Sequence, residues 1–286
     1  MDASDYKGRV AEAFHSAAPT YDRAGVEFFT PMGRRLAALA APREGERVLD
    51  VGCGRGACLF PAAEAVGGSG RAVGIDIAPA MVDAVRREAA ERGLAQVEAA
   101  LMDAEHPEFD ERAFDLVVGS FSIIFLAAAE VLPRYARLLV PGGRLAFSSP
   151  LFTEDVVPFM PPALEDVLTD DIVAAVPEEW RPRQAARRMC GWLYEEADIA
   201  RTLRAAGFGR VRVVDEAAPM EIASGRDYVA WSHTQGMRLF WQWLPPGRAR
   251  ELTGRMVAAV EAARDADGRI RVDMPVRYVL AERTSD

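Results

Sequence analysis

Several residue types that mark particular protein classes are scarce in this chain of 286 residues. Lysine occurs once, at Lys7. The other basic residues are nearly all arginine, which we attribute to a coding bias. The three cysteines, Cys53, Cys58 and Cys190, form no Cys-x-x-Cys pair, which argues against a disulfide framework and for a reducing compartment. The three histidines are too scattered to predict a zinc site. We therefore expect neither disulfides nor a bound metal.

Long apolar runs and an excess of positive charge are also missing. No uninterrupted apolar stretch reaches the ~18 residues of a transmembrane helix, and no signal-peptide core precedes the first helix. The formal net charge of -9 makes general nucleic-acid binding unfavourable. The 50% hydrophobic fraction is typical of a globular protein. We expect a cytoplasmic protein that binds neither membranes nor nucleic acids, and its oligomeric state stays open.

From Arg47 onward, short apolar strands alternate with helical segments, which predicts an α/β fold with a parallel sheet. The predicted strands lie at 47–51, 71–76, 96–101, 114–119, 142–148, 210–214 and 270–283. The alternation breaks after the fifth strand and resumes with a helix at 194–206.

Three segments outside the alternation are predicted to cap the sheet. They are the N-terminal helices of residues 1–45 and two inserts, at about 150–190 and 221–268. The predicted core comprises 46–149 and 191–286. The first insert is rich in proline and acidic residues, and the second is predicted to form two helices, of which the first is rich in aromatic residues. Long insertions in compact domains are often lids.

The stretch from Asp50 to Gly56 carries the most specific chemical signal. A buried strand ends in an acid, and three glycines then alternate with other residues before a helix. Glycine permits positive φ and lets a ligand approach the main chain at a helix N-terminus. The spacing also fits a dinucleotide fingerprint. However, Asp50 would repel a pyrophosphate and instead suits a cationic amino group.

Two further acids follow neighbouring strands. Asp76 ends the second strand about 20 residues beyond the turn, where an acid accepts hydrogen bonds from ribose hydroxyls. Asp103 follows the third strand, where its carboxylate can receive the exocyclic amine of an adenine. Together with Asp50, these acids describe an adenosyl ligand with an amino-acid end and no phosphates, which is S-adenosylmethionine.

In order and spacing, the motifs resemble those of class I S-adenosylmethionine-dependent methyltransferases. The matching stretches are Asp50–Gly56, Gly74–Ile77, Met102–Ala104, Phe114–Val118 and Leu139–Gly143. Phe14–Asp22 resembles the cap helix and Tyr-Asp signature of the small-molecule branch, which acts on quinones and natural products. The resemblance implies a Rossmann-like seven-stranded mixed sheet with the last strand antiparallel, helical cap inserts, and S-adenosylmethionine as cofactor without a metal.

The resemblance also implies roles for individual residues. Asp50 orients the amino group of the cofactor, Tyr21 covers its methionine end, and Met81 packs on the adenine. Ser120 and Phe121 face the sulfonium methyl. The implied cofactor-binding set is Tyr21, Asp50, Gly52, Cys53, Gly54, Gly56, Asp76, Ile77, Met81, Asp103, Ala104 and Ser120.

The acceptor side is less well marked. His15 and His233 are candidate general bases for an oxygen nucleophile, against the alternative that each ring only packs or caps. The aromatic helix of the second insert is either buried packing or one wall of an acceptor pocket. The candidate substrate-binding residues are Phe121, Tyr228, Trp231, Arg238 and Trp241.

The predicted function is methylation of a small, partly hydrophobic acceptor from specialised metabolism, by direct in-line transfer. Gly119–Ser122 stands where amide and base N-methyltransferases carry an Asn-Pro-Pro-Tyr type motif, which disfavours DNA or glutamine N-methylation. Three alternatives stay open. They are C-methylation of an isoprenoid diphosphate clamped by Arg226 and Arg238, a cofactor-bound cyclase or binding protein that transfers no methyl group, and a dinucleotide-dependent oxidoreductase. The acceptor identity and the methylated atom stay open too.

Overall fold

The computed structural model describes residues 3–23, 25–154, 157–235 and 237–284. Its strands, β1 to β7 in chain order, are Arg47–Val51, Arg71–Asp76, Val97–Leu101, Phe114–Ser120, Leu139–Pro150, Phe208–Ile222 and Ile270–Arg283. They form one seven-stranded sheet in the order β3-β2-β1-β4-β5-β7-β6. β7 runs antiparallel to both β5 and β6, and the strands from β3 to β5 pair in parallel. The predicted mixed sheet with an antiparallel last strand is confirmed.

Helices form the crossover connections that parallel strands require. Within the described residues the α-helices, α1 to α11 in chain order, are Ala3–Ala17, Phe29–Ala40, Leu59–Val66, Pro79–Arg92, Ala128–Leu138, Asp170–Ala174, Pro182–Cys190, Glu196–Ala205, Gly225–Ser232, Arg238–Trp243 and Pro246–Ala262. The bounds of α4 follow from its sequence, since Pro79 occupies its first turn and Gly93 ends it in the left-handed conformation. None of the described helices has the length and apolar character needed to span a bilayer.

The central strands are buried on both faces of the sheet. Val48 and Leu49 are consecutive residues of β1, and both are completely buried. Val117 and Val118 of β4 show the same pattern. Because successive side chains of a strand point to opposite faces, helices must cover both sides here. The strand order reverses between β1 and β4, and ligands of such sheets bind at the carboxyl ends of the strands beside this reversal.

Two elements differ from the sequence-based prediction because of their surroundings. The sixth strand, predicted at 210–214, extends over Phe208–Ile222, since it continues to pair with β7 along this length. The second insert contains three helices rather than two. The predicted aromatic helix is divided into α9 and α10, because side chains in the connecting segment bond to the main chain. Thr234 Oγ1 donates to the Trp231 carbonyl, and Gln235 Oε1 accepts the Met237 N–H.

Candidate functional site

The turn after β1 is shaped by glycines with left-handed backbone. Gly52 has a φ of +68° and Gly54 a φ of +52°. A Cβ atom on Gly52 would lie 2.5 Å from Cβ of Ser122, whereas a Cβ atom on Gly54 would meet nothing within 4 Å. The Gly52 N–H donates to the Ile75 carbonyl at 2.8 Å, which anchors the turn on β2. The turn is therefore fixed on its inner side and open at Gly54.

Asp50 is a buried acid at the base of this turn. Neither of its carboxylate oxygens accepts a well-formed hydrogen bond from the described residues, and the Leu59 N–H offsets the effect of burial on its pKa only in part. Burial, together with the negative charge of Asp76, raises the pKa of Asp50 to about 8. A buried carboxyl without partners is costly to the fold, so it indicates a ligand that brings a donor or a cation. An amino group fits both demands.

Asp76 connects the turn to the end of β2. Its Oδ2 accepts the Gly54 N–H at 2.9 Å, and its Oδ1 accepts the Ala78 N–H at 2.8 Å. Burial raises the pKa of Asp76, although these backbone donors oppose the shift. A carboxylate has about four lone-pair sites. Asp76 can therefore hold the turn in shape and still accept bonds from a pair of hydroxyls.

Asp103 is held by the first helix of the chain. Its Oδ2 accepts a hydrogen bond from Nζ of Lys7 at 2.8 Å, and its Oδ1 accepts the Glu105 N–H at 2.9 Å. Partial burial alone would raise the pKa of Asp103, but these two bonds lower it below its ordinary value. Lys7 also pairs with the Glu105 carboxylate. The lone lysine, which sequence reasoning left without a role, thus fastens α1 over this edge of the site.

The Tyr-Asp pair after α1 positions an aromatic ring at the turn. Asp22 accepts the N–H groups of Phe28, Phe29 and Thr30 at 2.6, 2.9 and 2.7 Å, and so caps the first turn of α2. This fixes Phe29 under the Tyr21 ring, with the two centroids 4.7 Å apart. Burial raises the pKa of Tyr21 well above its usual value, so the phenol stays neutral.

Two cavities adjoin at the carboxyl ends of the strands. The main cavity, of about 870 Å³, contains Asp76, Met81 and Asp103 in its wall. The turn cavity, of about 880 Å³, is lined by Asp50 and the glycine turn. The twelve residues predicted to bind the cofactor all line one or both of these cavities. Their part in binding stays a prediction, but the fold brings the whole set together.

A third, apolar cavity of about 730 Å³ shares Phe125 and Phe159 with the main cavity. Its described lining is Ile124, Phe125, Phe152, Val157, Pro158, Phe159, Leu168, Trp180, Pro182, Ala185, Ala186, Met189, Cys190, Met237 and Phe240. The Cys190 thiol is the one titratable group in that set, and burial raises its pKa to about 12. The sequence predicted that the first insert is a lid. The structure shows in addition that its aromatic residues line this cavity.

Two phenylalanines mark the boundary between the main and apolar cavities. The rings of Phe121 and Phe159 lie 6.0 Å apart between centroids. Both residues have left-handed backbone, with φ of +58° and +63°. Non-glycine residues keep this conformation only where the surrounding structure holds them, and such residues cluster at binding sites.

The described structure does not bring the candidate bases to these cavities. His15 is exposed on α1, and its Nδ1 accepts the Ala80 N–H at 3.4 Å. His233 is exposed after α9, with its ring stacked on Trp241 at 4.4 Å. Partial desolvation and the charge of Arg238 lower the pKa of His233. Neither histidine lines the main, turn or apolar cavity.

Of the five candidate substrate-binding residues, only Phe121 lines a cavity. Tyr228 and Trp231 are completely buried, and Trp231 packs against the aromatic residues before α2. The Arg238 guanidinium donates to a backbone carbonyl of α1 at 3.1 Å. Trp241 donates its indole N–H to a serine hydroxyl of α9 at 2.9 Å. These four side chains hold the second insert together and attach it to the N-terminal helices.

Comparison with known proteins decides the family. A sequence model described as "Methyltransferase domain" matches residues 48–143. Aklanonic acid methyltransferase from Streptomyces sp. (strain C5) is 52% identical over 213 residues, covering 74% of this chain and 97% of that protein. The chain belongs to the class I S-adenosylmethionine-dependent methyltransferases. Nocamycin O-methyltransferase from Saccharothrix syringae is 40% identical to this methyltransferase over 272 residues, covering 93% of this chain and 95% of that protein.

Among solved structures, the YcgJ protein from Bacillus subtilis superposes on this methyltransferase with a TM-score of 0.58 at 17% identity. The match covers 90% of this chain and 99% of that chain, and it shows the shared fold. S-adenosylmethionine is the cofactor, and the residues present fit it. Asp50 lacks a partner that an amino group would supply, and the space at Gly54 is open to the ligand. The Asp76 carboxylate remains accessible to ribose hydroxyls.

Proposed function

We propose that this methyltransferase methylates a carboxylate oxygen of a small, largely apolar acid from specialised metabolism. The apolar cavity beside the cofactor site carries this proposal. Its described wall is made mainly of aromatic and aliphatic side chains, as in most small-molecule sites. An acceptor buried there would lie next to the main cavity through the Phe125 and Phe159 boundary.

The lack of a base in that wall favours a nucleophile that needs none. An alcohol or phenol has to lose a proton when it is methylated, whereas a carboxylic acid is already ionised at neutral pH. The described lining of the apolar cavity holds no histidine or carboxylate, and its thiol is neutral. The names of the two relatives agree with this chemistry, since one acts on an acid and the other transfers methyl to oxygen.

The protein's own contribution to the reaction is positioning and exclusion of water. S-adenosylmethionine supplies an electrophilic methyl group when it is bound. Asp50 would hold its amino group and Asp76 its ribose, while Tyr21 and Phe29 cover the turn. Phe121 lines the main cavity and contacts Phe159, which also lines the apolar cavity. Exclusion of water from the boundary would leave the carboxylate poorly solvated and hence more reactive.

C-methylation of an isoprenoid diphosphate receives no support from the positions of the arginines. Arg226 is exposed, and Arg238 is engaged with a backbone carbonyl of α1. Neither lines the main, turn or apolar cavity, and the described linings of the main and apolar cavities contain no arginine. A diphosphate would need such cationic partners.

The test uses S-adenosylmethionine labelled in its methyl group, with aklanonic acid as the first probe and its methyl ester as the matched control. We expect the label to enter the acid but not the ester. Mild alkali should then release labelled methanol, because a methyl ester hydrolyses whereas an aryl ether or a C-methyl group does not. Label that resists alkali would overturn carboxyl methylation. Acid that is bound but never labelled would favour a cyclase or binding protein.

A further inference from the structure

Gln235, between α9 and α10, has a buried amide nitrogen without a partner. The residue is only 3% exposed and lines the main cavity. Its Nε2 atom has no hydrogen-bond partner among the described residues. Buried side-chain donors are nearly always satisfied, because a donor removed from water without a partner loses its hydrogen bond to water and gains none in return. An unpartnered amide donor in the wall of a cavity therefore points to a ligand.

The orientation of this amide is fixed by the backbone. Gln235 Oε1 accepts the Met237 N–H at 2.8 Å. The main-chain N–H can only donate, so the oxygen end of the amide must face it and the NH₂ end is turned away. The Gln235 carbonyl also accepts the Arg238 N–H at 2.9 Å, which ties the residue to the start of α10. The donor is thus held in place before any ligand arrives.

The position of Gln235 places its Nε2 donor on the side of the site where the methyl acceptor would bind. Met237 and Phe240, which follow it in the same insert, line the apolar cavity. Gln235 itself lines the main cavity, so this short segment spans the junction between the two. The other unpartnered polar group of the main cavity, the Ser122 hydroxyl, lies against the glycine turn. Ser122 is therefore at the methionine end of the site, and Gln235 is at the acceptor side.

We propose that Gln235 Nε2 donates a hydrogen bond to a carboxylate oxygen of the acceptor and orients the acid at the junction of the two cavities. This inference rests on the proposed function. A neutral amide donor suits the task, since it fixes one oxygen of the carboxylate without neutralising the charge that makes the group nucleophilic. Gln235 then selects acids over esters of the same shape, because an ester oxygen is a weaker acceptor.

The experiment measures the dissociation constant of aklanonic acid for the protein loaded with S-adenosylhomocysteine. Gln235→Glu can still accept the Met237 N–H, and it is measured at a pH high enough to ionise the new carboxyl, because the protonated form would donate its own O–H. Gln235→Met removes the amide without adding charge. We expect both to weaken binding of the acid by about 10- to 100-fold, the range for a hydrogen bond to a charged group. Gln242→Met serves as the matched control, because Gln242 is exposed on α10 and lies outside the three cavities; its affinity for the acid should be unchanged.

Affinity for S-adenosylhomocysteine and melting temperature are measured on every variant to establish folding. We expect the Gln235 variants to bind this ligand as the parent protein does. Unchanged affinity for the acid in both Gln235 variants would overturn the inference, as would a loss confined to S-adenosylhomocysteine. Failure of the proposed function is a different result, namely acid that binds the parent protein but yields no alkali-labile methyl group.

Discussion

The ammonium of Lys7 lies 2.8 Å from Oδ2 of Asp103, a contact that joins the first helix to the loop after β3. Because this contact holds α1 over the predicted adenine end of the site, Lys7→Met should weaken binding of S-adenosylhomocysteine. Both side chains are partly exposed, so the effect should be modest, about two- to fivefold in the dissociation constant. Isothermal calorimetry at low and high salt measures it.

Lys7→Arg is the control for this prediction, because it keeps the positive charge opposite Asp103 and Glu105. It should retain most of the affinity. Added salt should reduce the difference between the parent protein and Lys7→Met, since screening weakens partly exposed ion pairs. Equal affinity of Lys7→Met and the parent protein at low salt would show that the contact does not help to close the site.

Asp50 should make the stability of the ligand-free protein depend on pH. Its folded-state pKa of about 8 is above the ordinary carboxyl value. Between about pH 4 and pH 8 the native state therefore holds a proton that the unfolded chain has released. The free energy of unfolding should accordingly fall as pH rises through this window and level off above it. Denaturant titrations of the parent protein and Asp50→Asn check this, with a flatter profile expected for the variant.

The same group should couple cofactor binding to proton release. The amino group of S-adenosylhomocysteine favours the charged form of Asp50, so binding near pH 7 expels a proton and strengthens as pH approaches 8. Calorimetry in buffers of different ionisation enthalpy measures the proton. Asp50→Asn should bind more weakly and lose the dependence on buffer. A parent protein whose binding heat is the same in all buffers at pH 7 would contradict this role.

Gly54→Ala should show whether the cofactor needs the open space at Gly54, as distinct from any effect of backbone strain on stability. The new Cβ atom would meet no protein atom within 4 Å, so it would project into the space left for the cofactor. We expect the dissociation constant of S-adenosylhomocysteine to rise about tenfold or more, with about 1 kcal/mol lost in stability from the left-handed backbone. Gly142→Ala is the matched control, because Gly142 also has positive φ and open surroundings. It should lose similar stability and keep its affinity.

Ala185→Phe should fill the apolar cavity. Ala185 lines this cavity from α7, and the adjacent Gln184 is exposed. The larger side chain should raise KM for the acceptor about tenfold or more, because it takes up the volume that the acceptor needs. S-adenosylhomocysteine should bind as before. Gln184→Phe adds the same ring outside the cavity and should leave both constants unchanged, whereas an equal effect of the two variants would argue against an acceptor chamber.

Loss of either histidine should leave catalysis nearly intact if the acceptor is a carboxylate. His15 and His233 are both exposed and lie outside the three cavities. We expect His15→Gln and His233→Gln to retain kcat within about twofold, whereas removal of a general base typically costs at least about 100-fold. Rates under saturating acceptor measure this. A large loss of kcat in either variant, with a normal melting temperature, would restore that histidine as a base.

The residues of the predicted cofactor site could be identified from the sequence because they lie in short local motifs. An acid, a glycine turn and a second acid at the end of the next strand are placed by the parallel sheet itself, so Asp50, Gly52 and Asp76 meet once the strands are recognised. The length of the sixth strand was underestimated because it depends on a pairing partner that is distant in the sequence. Residues beyond 214 are extended because β7 lies beside them, and that partner comes from the far end of the chain.

The acceptor half could not be predicted because it depends on how two inserts fold against each other. Aromatic residues such as Trp231 at helical spacing suit a core and a pocket equally well, and here they form core. Phe159 lies at the boundary between the main and apolar cavities with a left-handed backbone, which no sequence motif predicts. The proposed role of Gln235 can be inferred only from the structure, where its Oε1 accepts the Met237 N–H and its Nε2 end is turned away.

The single lysine gives the chain a built-in chemical reporter. Amine-directed acylating reagents have one side chain to modify, and in the closed arrangement its ammonium is occupied by Asp103 and Glu105. Acylation of Lys7 should therefore be faster when α1 lifts from the site and frees the ammonium from these carboxylates. Peptide mapping of acylated Lys7 over time would thus record the opening of this helix without a dye, a tag or an introduced residue, because mapping distinguishes Lys7 from the α-amino group, which such reagents also modify.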